Sequence, residues 1–197
     1  MMNTGHVERR STRLLIIGIL IVMAEIAAII VFVSAPANQL LGTSVYGLRS
    51  AFHGLFAGVL MITMTIGLFQ AFHLWVGESF KIGELEVGSV LNAAVCFLTI
   101  ALGNWLYIPY RAKGGPRSYF LETVPEAHKI FFEFKEFTAL MTLPFAVGAA
   151  YLVCRYGERL NSNRVLREAA ALLLLMAFFY FMVAFGLGAA VTKLKAV

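Results

Sequence analysis

The stretch from Ala169 to Thr192 reads AAALLLLMAFFYFMVAFGLGAAVT and contains no charged residue in 24 positions. About 20 apolar residues in an α-helix cross the hydrocarbon layer of a bilayer, so this stretch predicts a transmembrane helix. Four more stretches of the same kind lie at about residues 14–33, 50–76, 87–107 and 130–154. The sequence therefore predicts an all-α integral membrane bundle of five transmembrane helices.

The composition of the whole chain agrees with a membrane protein. Hydrophobic residues make up 60% of the 197 residues, charged residues make up 14%, and the mean hydropathy is +0.80, which excludes an ordinary soluble domain. No segment outside the spans is long enough to fold alone, so residues 1–197 are expected to form a single transmembrane domain. The net charge of +5 comes from basic residues at the helix ends, where they are expected to contact lipid headgroups rather than nucleic acid.

The basic residues divide evenly across the membrane, because eight Lys and Arg residues fall on each side of the five predicted spans. The first helix usually dominates orientation, and Arg9, Arg10 and Arg13 precede it. We therefore expect the N-terminus in the cytoplasm and the C-terminus outside. The expected location is the inner (plasma) membrane, which the chain would cross several times.

Ionisable residues inside the predicted spans are candidates for function, because charge is expensive to hold in lipid. Glu25 lies near the middle of the first span, and Glu133 and Glu136 lie in the fourth. Regular α-helical spacing places His128 and Lys135 on one face of the fourth helix, about 20° apart. We predict that the three carboxyls handle protons. For Glu25 the alternative is a neutral carboxylic acid that is hydrogen-bonded between helices.

Two histidines are predicted to share a haem site. His53 lies near the start of the second span and His128 near the start of the fourth, so both lie on the same side of the membrane in the predicted topology. Two imidazoles from different helices at similar depth can hold both axial positions of a b-type haem iron. His73 follows His53 by 20 residues, which places it about 30 Å away on nearly the opposite helix face. We therefore exclude His73 from the site.

Neighbouring residues complete this prediction and also offer alternatives to it. Arg111 and Arg117, on the same side, are expected to pair with haem propionates or other anionic groups. Gly54 and Gly58 would let a ring or another helix approach closely. Against this, an interfacial histidine is usually solvated, and a Gly-x-x-x-Gly pattern is more often a helix-packing motif. A mixed set of histidine and glutamate ligands would instead suit an iron, manganese or zinc ion.

These residues favour a membrane-embedded redox subunit that binds a b-type haem, a quinone or both and passes electrons within a larger respiratory or photosynthetic-type complex. Its expected partners are the lipid bilayer and other membrane or peripheral redox subunits, so the chain would be the membrane subunit of an oxidoreductase. The alternatives are a small ion-coupled transporter and a non-catalytic assembly or scaffold subunit. The sequence contains no P-loop, nucleophile elbow, zincin helix or dinucleotide fingerprint, so nucleotide and hydrolase chemistry have no support.

Overall fold

The structure, a computed structural model, describes residues 16, 20 and 23, residues 45–78 and residues 81–194. The predicted first span lies outside the described residues, apart from those three isolated positions. Glu25 lies outside them too, so its role stays a prediction. The same holds for the crossing of the membrane by the first span and for the total of five spans.

Regular structure in the described part of the chain is entirely helical. The chain forms α1 (Val45–Val76), α2 (Ile82–Arg111), α3 (Pro116–Thr123), a π-helical turn (Ala127–Phe132), α4 (Glu133–Tyr156), α5 (Arg159–Ser162) and α6 (Arg164–Leu194). Four helices are long and apolar enough to cross a membrane, namely α1, α2, α6 and the continuous helix made by the π-helical turn and α4. Four of the predicted spans are thus present, which agrees with an all-helical, multi-pass membrane protein.

The four long helices extend beyond the apolar stretches that predict them. For α2 the hydropathy pattern predicts residues 87–107, whereas the helix runs from Ile82 to Arg111. Hydropathy marks only the apolar part of such a helix, because its polar ends continue the same backbone hydrogen bonds at the membrane surface. Pro109 lies inside the last turn of α2, and the Ala112 N–H donates to the Pro109 carbonyl. Pro109 has no N–H to bond the Trp105 carbonyl one turn earlier, and the Arg49 guanidinium donates to that carbonyl instead, at 3.2 Å.

The four long helices form a closed ring in the order α1, α2, α4, α6. Each helix packs against its neighbour in this order, and α6 packs back against α1. The connections are short, so successive helices run antiparallel, as in an up-down-up-down bundle. We name the two ends of the bundle by their short helices. The α3 end holds the start of α1, the end of α2, the π-helical turn and the end of α6, and the α5 end lies opposite.

Three clusters of buried side chains fill the ring from end to end. Leu74 and Leu85 belong to the cluster nearest the α5 end, Met64 belongs to the middle cluster, and Tyr110 and Phe120 belong to the cluster at the α3 end. Many large apolar side chains on the outside of the helices are exposed. This is the arrangement expected in lipid, which is as apolar as these side chains and gives no reason to bury them.

At the contact between α1 and α2, polar side chains of one helix pack against glycines of the other helix. In each of three pairs, a Cβ added to the glycine would lie between 2.7 and 3.1 Å from the polar side chain of the facing helix. Glycine therefore provides the space in which these polar groups are shielded from lipid. We call the three pairs the glycine seam; they are His53 on Gly103, Asn92 on Gly67 and Gln70 on Gly88.

The two glycines that were expected to allow close approach are not part of this seam. A Cβ added at Gly54 or Gly58 would meet no described atom within 4 Å. At 100° per residue, both positions lie on the side of α1 roughly opposite Gly67. They therefore face away from α2, and the close approach between these two helices is made at Gly67, Gly88 and Gly103 instead.

Replacing Gly67 with alanine is expected to lower the thermal unfolding midpoint. The new methyl group would collide with the buried Asn92 amide, and overpacking of this kind costs about 1–3 kcal/mol. Gly58→Ala is the matched control, because its methyl group meets no described atom within 4 Å and gains roughly 0.5–1 kcal/mol of helix propensity. Both midpoints are measured on purified protein in one detergent. A midpoint for Gly67→Ala equal to or above that of Gly58→Ala would contradict tight packing in the seam.

Candidate functional site

His128 is buried at the α3 end and uses both ring nitrogens in hydrogen bonds. Arg117 Nε donates to His128 Nε2 at 3.1 Å, and Tyr110 Oη lies 3.0 Å from His128 Nδ1. Because Nε2 accepts from a guanidinium, the neutral ring carries its proton on Nδ1 and donates it to the Tyr110 oxygen. The three side chains come from the π-helical turn, α3 and α2. We call them the His128 network.

Stacked aromatic rings support this network from the side of the bundle. The Tyr110 and Phe132 rings stack with 4.4 Å between their centroids, and the Tyr107 ring stacks on both. Phe132 is the last residue of the π-helical turn. Turns of this kind hold one extra residue and occur frequently at functional sites. Here the turn buries His128 while it brings Phe132 against α2.

His53 lies deeper in the bundle, in the glycine seam. Its Nδ1 is 3.1 Å from the Thr99 carbonyl oxygen, and because a carbonyl can only accept, the imidazole donates this bond. The lone pair of the neutral ring is then on Nε2. A backbone carbonyl fixes the orientation and tautomer of His53 in the same way that second-shell carbonyls fix metal-ligating histidines.

Lys135 carries a charge into the interior of the bundle. Its side chain is half-buried, and its Cε would lie 3.5 Å from a Cβ added at Gly188 of α6. Its Nζ lies 5.2 Å from the centroid of the Phe132 ring, and the ammonium interacts electrostatically with His53. Since α1 and α4 occupy opposite corners of the ring, that interaction runs across the bundle interior. We call His53 and Lys135 the inner pair.

Glu133 and Glu136 lie in the first turn of α4, next to the inner pair. Glu136 is half-buried and interacts electrostatically with Lys135 and Arg111. Glu133 is exposed and interacts in the same way with His128. The two predicted proton-handling carboxyls therefore lie between the bundle interior and the surface of the α3 end.

The two histidines predicted to share a haem lie at different levels of the bundle. His53 contacts α2 at Thr99 and Gly103, whereas His128 contacts it at Tyr110, two to three helical turns nearer the α3 end. The structure does not bring the two rings together. Ligation of a common iron would require His128 to give up one of its two hydrogen bonds. Haem binding by these residues stays a prediction.

The two arginines predicted to anchor anionic groups have different surroundings. Arg117 is half-buried and donates to His128, so its Nε already has an acceptor. Arg111 is exposed, with its guanidinium 5.2 Å from the Tyr107 ring centroid. Of the two, Arg111 is the one that is accessible to a ligand from outside. His73 lies at the α5 end, where it contacts Glu78.

Tyr110 and Thr99 hold the site histidines but were not identified from the sequence. Each acts from α2 on a residue of another helix, and no local spacing along the chain signals such a contact. Lys135 did carry a signal, because it is a charge inside a predicted span. Among the described residues, no group of three or more His, Cys, Asp and Glu side chains converges in a way that could hold a metal ion.

The inner pair and the His128 network differ in what they offer to a ligand. Both nitrogens of His128 are already bonded to protein, whereas the inner pair presents an imidazole lone pair and an ammonium in one interior region. Comparison with protein-family models, curated proteins and solved structures finds no match to this chain. Its function is therefore inferred from the chemistry of these side chains.

Replacing Tyr110 with phenylalanine is expected to lower the thermal unfolding midpoint. The buried Nδ1–H of His128 would lose its acceptor, and an unsatisfied buried donor costs about 1–3 kcal/mol. Tyr151→Phe is the matched control, because Tyr151 is 63% exposed on the outside of α4. Differential scanning calorimetry of the two variants and the parent measures the effect. Equal midpoints for the two variants would show that the bond to Tyr110 does not stabilise His128.

Proposed function

We propose that this protein is a membrane-embedded redox subunit that binds a quinone ring at the inner pair. The proposal is supported by the electrostatic interaction of two groups inside a ring of transmembrane helices, namely the His53 imidazole, whose lone pair is on Nε2, and the Lys135 ammonium. Ionisable groups within a membrane domain are costly to keep and mark substrate or proton paths. An apolar flat ligand with polar edges suits an interior of this kind.

A quinone matches the inner pair in its hydrogen-bonding chemistry. Its carbonyl oxygen accepts a bond, which Lys135 donates, and the hydroxyl of the quinol form donates one, which His53 Nε2 accepts. The Phe132 ring offers an aromatic face beside Lys135. The ligand therefore has a polar contact in both redox states.

Oxidation of a quinol releases two protons and two electrons, and each has a destination in this proposal. His53 takes the proton from the hydroxyl that it binds, and the Glu136 carboxylate takes the second. The electrons leave one at a time to a haem or iron–sulfur cluster of an adjoining redox subunit. Glu133, exposed on the same turn of α4, passes protons between Glu136 and water.

The proposal includes five spans, with the N-terminus in the cytoplasm and the chain in the plasma membrane. An odd number of spans puts the two chain ends on opposite sides, and the α3 end then faces outward. Protons from the quinol would be released outside the cell. Reporter fusions to the two ends test this topology, and reporters that register the same side would overturn it.

Lys135→Met is expected to weaken quinone binding by at least about tenfold. Methionine keeps the apolar stem but removes the donor, and a hydrogen bond from a charged group is worth roughly 1.5–3 kcal/mol, about tenfold in affinity for each 1.4 kcal/mol. Binding of a short-chain ubiquinone analogue to the protein in nanodiscs, measured by calorimetric titration, gives the dissociation constants. Lys129→Met is the matched control, because Lys129 is exposed and lies outside the inner pair.

Two outcomes would contradict a quinone at the inner pair. The first is equal affinity for the analogue in the parent, Lys135→Met and Lys129→Met. The second is a b-type haem, which His53 could hold through Nε2 because its Nδ1–H is already fixed on a carbonyl. An oxidised-minus-reduced visible spectrum that is lost in His53→Ala and His128→Ala but kept in His73→Ala would assign the pocket to haem.

An ion-coupled transporter is the second candidate, and the charge of Lys135 inside the bundle favours it. A membrane carrier needs an interior group that gains and loses charge or binds a charged substrate, and a half-buried lysine beside a histidine is such a group. A transporter would be colourless, would not bind the quinone analogue, and would lose uptake of its substrate in Lys135→Met.

A further inference from the structure

Two amide oxygens in the half of the glycine seam nearer the α5 end are buried without a hydrogen-bond donor. They are Asn92 Oδ1 and Gln70 Oε1, and neither has a partner among the described residues. Asn92 itself is only 2% exposed. A buried acceptor that is left unsatisfied costs about 1–3 kcal/mol, and hydrocarbon supplies no donor to relieve it. Among the described residues, both oxygens are therefore available to bind a ligand.

The two amides lie on opposite helices of the α1–α2 contact, each against a glycine of the other helix. Gln70 lies on Gly88 of α2, and Asn92 lies on Gly67 of α1, so the two groups are about one helical turn apart along the seam. The Gln70 Nε2 makes a long bond of 3.5 Å to the Glu84 carbonyl. That bond uses one of the two Nε2 hydrogens, and Oε1 is the buried atom of the amide without a partner among the described residues.

Two hydroxyl groups, each one helical turn from a residue of the seam, are further oxygen acceptors. Ser89 is fully buried, one turn before Asn92, and its hydroxyl donates to the Leu85 carbonyl at 2.7 Å. Thr63 lies one turn before Gly67 on α1 and donates to the Leu60 carbonyl at 3.2 Å. Both hydroxyl hydrogens are thereby engaged, so each oxygen presents only lone pairs to its other neighbours.

A group of neutral oxygens selects the chemical class of the ligand. An anion is disfavoured because the unpartnered buried atoms are both oxygens, whose lone pairs repel negative charge. Transition metals prefer nitrogen and sulfur ligands, and divalent calcium and magnesium are bound chiefly by carboxylates. A monovalent hard cation needs only neutral oxygens, in the way that backbone carbonyls coordinate sodium in membrane transporters.

We propose that Asn92, Gln70, Ser89 and Thr63 form a binding site for a sodium ion between α1 and α2. The ion bridges the two amide oxygens, and water completes its coordination shell. The site lies nearer the α5 end than the inner pair does, and it does not depend on whether the inner pair binds a quinone. Occupied, it would hold α1 and α2 together at the half of the seam where both amides are otherwise unsatisfied.

Thermal unfolding of the purified full-length protein in sodium, potassium and choline chloride at equal ionic strength tests the site. A ligand that binds only the folded state stabilises that state. Once the ligand concentration exceeds the dissociation constant, the stabilisation grows with the logarithm of the concentration. We expect the midpoint of the parent to rise with sodium concentration at constant ionic strength, and not with choline. Asn92→Leu should abolish this dependence. Asn104→Leu is the matched control, because Asn104 lies on the same helix but is exposed, and it should keep the dependence.

Two further measurements keep the proposal falsifiable if Asn92→Leu does not fold. Gln70→Leu changes a side chain that is only partly buried and should reduce the sodium dependence. Binding can also be measured without any variant, because a bound sodium ion broadens the sodium NMR signal. We expect the parent protein to cause this broadening, and lithium or potassium to reverse it only when present in large excess over sodium. Identical midpoints of the parent in all three salts, with no broadening, would mean that the seam holds only water, and the proposal would be wrong.

Discussion

Hydrocarbon offers no hydrogen bonds, and this constraint decides where each polar group of the bundle is found. The glycine seam meets it by placing an imidazole and two amides of facing helices against glycines. Each contact requires a polar side chain on one helix and a glycine, which has no side chain, at the facing position of the other helix. The seam therefore fixes the register of α1 against α2, because a shift of either helix by one residue would put a polar group against a side chain.

The same device recurs around the ring and sets the position of the inner pair. Lys135 of α4 packs against Gly188 of α6 at ordinary van der Waals distance, and His53 of α1 packs more tightly against Gly103 of α2. Once these contacts are made, the Thr99 carbonyl is within reach of His53, and Lys135 interacts electrostatically with the His53 ring. The site therefore follows from packing between pairs of helices, and no single helix contains it.

Hydropathy predicted the helices well because it depends only on local composition, but the site depends on contacts that composition does not encode. The spans from about 50 to 192 all appear as helices, while their ends differ because polar helix ends carry no hydropathy signal. The angle expected between His128 and Lys135 assumed a regular α-helix. The π-helical turn adds a residue between them, so His128 contacts α2 and α3 while Lys135 reaches α6 and the interior. Gly54 and Gly58 show the same limit, since spacing identified a motif but not the helix that it faces.

The energetics of the two polar groups at the α3 end explain why a ligand is expected at only one of them. A ligand at His128 would displace Tyr110 or Arg117, and a hydrogen bond to a charged group is worth about 1.5–3 kcal/mol, so any new contact must first replace one of equal strength. At the inner pair a ligand adds contacts without removing the bond that orients His53, which runs from the other ring nitrogen to Thr99. The ammonium of Lys135 also gains an acceptor in a medium where electrostatic interactions are strong, because water does not screen them. A ligand at the inner pair is therefore favoured over one at the His128 network, where both ring nitrogens already have partners.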